Sequence, residues 1–273
     1  FMLRLSSFAI LHSPFDISRS SMSQGKLKNY IAGRLVESVG GQYIDDIDPA
    51  TGEVYCHVPD SDERDVEQAV EAAEAAFPIW SHTPTAKRSQ ILLKIADLIE
   101  ANAERLARAE CVDTGKPLSL ARTLDIPRAA ANFRFFATAI LHFHSQSHMM
   151  DDVAINYTLR QPRGVCGLIT PWNFPLHLLT WKTAPALACG NTVIAKPSEI
   201  TPMTAYLLST LCQEAELPAG VLNIVHGRGP KAGEAIVRHP KVTTISFTGG
   251  TVTGSAIAKV ASPMLKKHSL ELG

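Results

Sequence analysis

Between residues 164 and 249 the sequence alternates short β-branched runs with helical patterns, and this rhythm restricts the fold more than any other feature of the chain. The runs GVCGLIT (164–170), TVIAK (192–196), VLNIV (221–225) and TTISFTG (243–249) are apolar and bounded by Gly or Pro. Successive runs lie about 25 residues apart, room for one helix each, so the pattern predicts a parallel sheet with helices on both faces. Ligands of such sheets bind at the carboxyl ends of the strands.

The first half reads as helical. Val66, Ala69, Val70, Ala73 and Phe77 fall at helical spacing behind acidic residues that suit a helix N-terminus, and Pro78 is expected to end that helix. A second helix starts near Thr85 and runs to about Cys111 with a break. A third, over residues 119–144, is expected to be interrupted at Pro127. Residues 152–165 alternate like an exposed antiparallel ribbon, and residues 202–216 open with Thr201 as N-cap and Pro202 at the first helical position.

Composition removes several classes of function. Twenty-six basic residues balance twenty-six acidic ones, so no net field gathers nucleic acid or an anionic membrane. The longest uncharged run, residues 164–181, carries Pro171, Asn173, Pro175 and His177 and is not a membrane span. Five cysteines without a Cys-x-x-Cys pair argue against a disulfide framework or a zinc cluster and favour a reducing, cytoplasmic setting. His144 and His148 have metal-like spacing but no acidic partner between them, so no metal is expected. Residues 1–21 are expected to be an extra, disordered segment. Its Ser-rich, Arg-bearing composition faintly resembles a presequence, and a truncated start or translation from upstream of Met22 accounts for it equally well.

The strand ends hold the candidate chemistry. Asn173, on a turn stiffened by Pro171 and Pro175, either aims its amide at developing negative charge or holds its own turn together. Lys196 ends the second run and Glu199 lies just beyond it. An acid there accepts bonds from ribose hydroxyls and repels a 2′-phosphate, favouring NAD over NADP, although such residues are often plain surface charges. HGRGPKAG (226–233) and FTGGTVTG (247–254) each follow a strand and precede a helix, a place for phosphate or for tight turns alone. Cys166, inside an apolar run, reads as a small buried hydrophobe.

Together these segments, with IDPATGEVYCHVPDSD, DTGKP, PALACGNTVIAKPSEITP and LELG, resemble the NAD(P)-dependent aldehyde dehydrogenase superfamily from about Leu27 to Gly273. The resemblance implies a Rossmann-like coenzyme-binding domain: a helical part over 22–150, the start of an oligomerisation ribbon over 151–165, and an NAD-binding part over 166–270. It implies Asn173 as oxyanion donor and Glu271 as general base. It places the cofactor against Ile169, Thr170, Pro171 and Trp172, against Lys196, Ser198 and Glu199, against Gly229 and Gly233, and against Phe247, Thr248, Gly249, Gly250, Thr253 and Leu272. Gly250 stands where the family usually has Ser, which implies a looser loop.

In the family a cysteine thiolate attacks the aldehyde and water later cleaves the thioester. The resemblance implies that this cysteine belongs to a catalytic domain starting at 271–273 and continuing past the sequence, so the chain alone is expected to be inactive. Several segments look most like the 2-aminomuconic semialdehyde dehydrogenase group, whose substrate bears a carboxylate. Arg128 first and Arg122 second are the candidate anchors, the alternative being a solvated helix face or a pair with Asp125. A homo-oligomer is expected of the full-length protein. Retinal and betaine aldehyde remain alternative substrates, and a non-catalytic NAD-binding or subunit-associating fragment the alternative role.

Overall fold

The structure, a computed structural model, describes residues 25–273; the expected disordered segment 1–21 lies outside them. Five short strands open the described chain: β1 (Gly25–Lys26), β2 (Asn29–Ile31), β3 (Arg34–Val36), β4 (Tyr43–Ile47) and β5 (Val54–Pro59). The expectation of a mostly helical first half missed them, because two or three residues per strand carry no readable period. Helices α1 (Glu63–His82), α2 (Thr85–Ala101), α3 (Ala103–Thr114), α4 (Leu118–Leu120) and α5 (Ile126–Ala139) follow, with a π turn at Ala121–Asp125.

Two prolines expected to break helices do not. Helix α1 continues past Pro78 because its last turn is anchored from outside. Trp80 is buried there and donates its indole N–H to the Leu187 carbonyl at 3.2 Å. Ile126, which precedes Pro127, stays in the right-handed helical region at φ −71° and ψ −44°. The π turn ahead of it, closed by the Ile126 N–H on the Ala121 carbonyl, widens the ladder where the proline ring would otherwise collide.

A hairpin of β6 (Ser147–Met150) and β7 (Ala154–Tyr157) follows, exposed on both strands, and it begins ahead of the expected ribbon boundary at 151. Then comes the alternating unit: β8 (Val165–Ile169), α6 (Pro175–Ala188), β9 (Thr192–Lys196), α7 (Met203–Glu214), β10 (Leu222–Ile224), a π turn at Gly229–Gly233, α8 (Glu234–Arg238), β11 (Val242–Gly249), α9 (Thr251–Ala261) and β12 (Lys267–Leu272).

The main sheet has seven strands in the order β12-β11-β8-β9-β10-β2-β3. The five from β12 to β10 are parallel, and β2 and β3 extend the sheet antiparallel. Helices α6 and α7, backed by α2, α3 and α5, bury one face around Cys166, Leu168, Val193 and Ala195. Helices α1, α8 and α9 bury the other around Val165, Ile169, Ile194 and Ile245. From β8 the chain winds through β9 to β10, then returns to add β11 and β12 on the opposite side of β8. That reversal opens a crevice between the carboxyl ends of β8 and β11. Glu271 and Leu272 pair with Thr248 and Gly249 inside this sheet, so the boundary expected at 271 cuts through β12. No helix among the described residues is long and apolar enough to cross a membrane.

Candidate active site

Because β8, β9, β11 and β12 are parallel and in register, Ile169, Lys196, Phe247 and Glu271 arrive at one edge of the sheet. Thr170, Pro171, Trp172 and Asn173 leave β8 as a turn into α6, with Trp172 and Asn173 exposed. Within β12, alternation turns Glu271 and Leu272 to opposite faces. Leu272 packs on α9, where a Cβ at Gly254 would lie 2.4 Å from its Cδ2. Glu271 faces α6, where its charge acts on Lys182. Asn173 and Glu271 thus sit at the same edge, associated with the same helix.

Lys182 lies within this helix and donates from Nζ to Ser246 Oγ at 2.9 Å. Burial pushes its ammonium down to about 8, against the opposing pull of Glu271. Sequence reading passed over it, although a lone charge inside the apolar stretch LLTWKTAPALA was a usable signal. Also missed was the cluster beneath Asn173. Lys116 Nζ donates to Asp125 Oδ2 at 2.6 Å, to Glu110 Oε1 at 3.4 Å and to the Asn173 carbonyl at 3.1 Å. It also lies 4.7 Å from the centre of the Phe174 ring. Glu110 Oε2 accepts the Leu176 N–H in the first turn of α6. Its carboxyl is pushed up to about 7 by burial and by neighbouring Asp125, against the opposing effect of Lys116.

At the end of β9, Lys196 is only 3% exposed and pairs with Glu199 Oε2 at 2.6 Å. Burial would raise the Glu199 carboxyl, but the Lys196 charge and the backbone N–H groups of Glu199 and Gly229 hold it below the usual range. Gly229 thereby brings the loop after β10 against Glu199. Gly233 stands over the stem of Lys196, and Ser198, half-buried, accepts the Thr201 N–H. Burial, with the nearby Lys196 charge, pushes the His226 imidazole down to about 3.

At the end of β11 only glycine fits at Gly249, since a Cβ would lie 2.4 Å from the Phe247 ring. Gly250 is the N-cap of α9 with open space around it, and no side chain among the described residues caps the helix. Thr253 is exposed in the first turn, and Thr248 pairs with Glu271. The two arginines differ. Glu104 holds Arg122 through bonds of 2.7 and 2.6 Å, whereas Arg128 is exposed, makes no ion pair among the described residues, and acts on His177. Asp125 serves neither arginine, because Lys116 takes it.

The cysteines lie elsewhere. Burial pushes Cys166 and Cys212 up to about 12, and it raises Cys56 and Cys189 as well. Cys111 donates to the Lys116 carbonyl at 3.0 Å. None is hydrogen-bonded to Asn173 or Glu271.

The sheet is doubly wound, and its switch point gathers the Lys196–Glu199 pair, the N-terminus of α9 and the Asn173 turn, as in a dinucleotide-binding α/β protein. The aldehyde dehydrogenase family model matches residues 35–273, and the chain belongs to that family. It is 54% identical over 248 residues to a 2-aminomuconic semialdehyde dehydrogenase from Bos taurus, covering 90% of this chain and 50% of that protein. It is 46% identical over 254 residues to a 2-hydroxymuconic semialdehyde dehydrogenase from Pseudomonas sp. (strain CF600), covering 91% and 52%. An aldehyde dehydrogenase from Bacillus cereus, solved as an NAD+ complex, superposes with a TM-score of 0.89 at 40% identity, covering 91% of this chain and 51% of that one. The chain spans about half the length of the curated relatives it matches.

Proposed function

We propose that this chain carries the NAD site of an enzyme that oxidises a carboxylate-bearing semialdehyde, of the 2-aminomuconate type, to the acid. The observation that carries this reading is the Lys196–Glu199 pair, held by the Gly229 N–H beside the β8–β11 crevice. Its ionised carboxylate suits two ribose hydroxyls and disfavours a 2′-phosphate. The open cradle at Gly250 and the free N–H groups of the first turn of α9 suit a diphosphate. NAD, when bound, supplies a hydride acceptor. Asn173 donates its amide to negative charge forming on the aldehyde oxygen, and Glu271 takes a proton from attacking water. Fixed by the Lys116 cluster, the Asn173 turn does not reorganise as that charge appears.

No thiol among the described residues is hydrogen-bonded to Asn173 or Glu271 at this edge, so the 273 residues alone bind dinucleotide and turn nothing over. Calorimetric titration with NAD and an absorbance assay for NADH test both halves. Heat of saturable binding and no aldehyde-dependent NADH are expected. Undetectable binding at millimolar NAD removes the cofactor assignment, and NADH above a heat-inactivated control removes the second half.

Arg128 is assigned as the anchor of the substrate carboxylate, because its guanidinium pairs with no acid among the described residues. In the complete enzyme, Arg128→Ala is expected to raise KM for acidic aldehydes by roughly 10- to 100-fold, the worth of a charged hydrogen bond. Neutral aldehydes should be unaffected; equal losses for both kinds contradict the assignment.

A further inference from the structure

Two cations stand at the ribose-side loop, and one buried acid holds both. Asp60, 6% exposed, follows β5. Its Oδ2 accepts from Arg228 Nη1 at 2.8 Å and from Lys231 Nζ at 3.1 Å, and its main-chain oxygen accepts from Lys231 Nζ at 3.3 Å. Its Oδ1 takes the Arg228 N–H at 3.5 Å. Gly227, at φ +141°, lets the loop lie flat on this segment, since a Cβ there would stand 3.0 Å from the Ser61 nitrogen. Both cations belong to the loop whose next residue, Gly229, donates its N–H to Glu199. They remain about half exposed.

A 2′-phosphate on the adenosine ribose would seek such cations: arginine engages phosphate through paired N–H groups and lysine as a point charge. Glu199 opposes that phosphate by repulsion, yet two unengaged cations one and two residues from Gly229 would offset much of it. We propose that Asp60 is a specificity-determining residue that turns Arg228 and Lys231 away from the ribose and so enforces the choice of NAD over NADP. This rests on the reading of Glu199 as the ribose acid. Asp60 touches no nucleotide and acts through the two side chains it holds.

The test is calorimetric binding of NAD and of NADP to the 273-residue chain, with circular dichroism as the check on folding. In Asp60→Asn the ratio of the NADP Kd to the NAD Kd is expected to fall at least tenfold, with NAD affinity nearly unchanged. Adding Arg228→Gln and Lys231→Gln to that variant should restore the parent ratio. Equal weakening of both nucleotides would make Asp60 a staple of the loop and nothing more, overturning the proposal. If Asp60→Asn does not fold, Arg228→Gln with Lys231→Gln in the Asp60 background decides. Both Kd values should stay within about twofold of the parent, because the cations are already engaged; a selective loss of NADP binding shows that they reach the nucleotide and overturns the proposal. A parent that binds NADP as tightly as NAD overturns this inference and the exclusion of a 2′-phosphate by Glu199, while leaving the ribose contact itself standing. A parent that binds neither overturns the ribose reading together with it.

Discussion

Glu199→Ala is expected to weaken NAD binding by roughly 100-fold, the effect of removing a charged acceptor from two ribose hydroxyls at about 1.5–3 kcal/mol each, with partial compensation by water. The carboxylate is ready for that role before any ligand arrives. Lys196 and the N–H groups of Glu199 and Gly229 hold its pKa below the ordinary 4.5 in spite of burial. With the folded-state pKa lowered, the stability it contributes is present above about 4.5 and lost as pH falls through the lowered value. Binding and local stability should therefore decline together on acidification. The alanine variant also leaves the Lys196 ammonium, 3% exposed, without its carboxylate partner. Glu199→Gln is the milder control, since it can still accept one bond. An unchanged Kd in Glu199→Ala would remove the ribose assignment, and an unfolded variant would shift the question to the glutamine.

The four runs that framed the sequence reading coincide with β8, β9, β10 and β11 to within a residue or two, because buried parallel strands are apolar on both faces. What the sequence did not disclose is supplied by partners far along the chain. Helix α7 was expected to be capped by Thr201. Its first N–H instead goes to Asp113 of α3, ninety positions earlier, at 2.8 Å, and Thr201 makes no side-chain bond among the described residues. Pro78 and Pro127 misled for the same reason, since local steric rules give way when Trp80 docks elsewhere or a π turn absorbs the clash. The edge that gathers Asn173, Lys196, Glu199 and Glu271 was legible as the carboxyl end of a sheet. Lys116 and Asp60 were not, because what they hold is decided by helices and loops crossing from other segments, and Lys182 was marked only as a lone charge in an apolar stretch, its Ser246 partner sixty-four positions away.

Replacing Lys116 with methionine is expected to cost roughly 3–5 kcal/mol of stability, the usual result of stripping the counter-ion from buried acids. Asp125 and Glu110 are both fully buried beside it, and the Asn173 carbonyl would lose a donor at the same stroke. The pH profile identifies the cause. Glu110 has its folded-state pKa raised from 4.5 to about 7, so its contribution is fully present below about 4.5 and is lost as pH rises through about 7. Urea unfolding should therefore show part of the wild-type stability disappearing across that window, and Glu110→Gln should flatten that part. In Lys116→Met the Glu110 carboxyl moves higher still, because a neighbouring positive charge no longer favours its ionised form. The Glu110 share of the deficit should then be small near pH 5 and largest above pH 7. Hydrogen exchange links the cluster to chemistry: the amides of residues 174–178 should exchange faster in Lys116→Met, since the first turn of α6 is tied to Glu110 and Lys116. A pH-independent deficit would mean that Glu110 takes no part in it, and unchanged exchange at 174–178 would mean that the turn bearing Asn173 is held by other bonds.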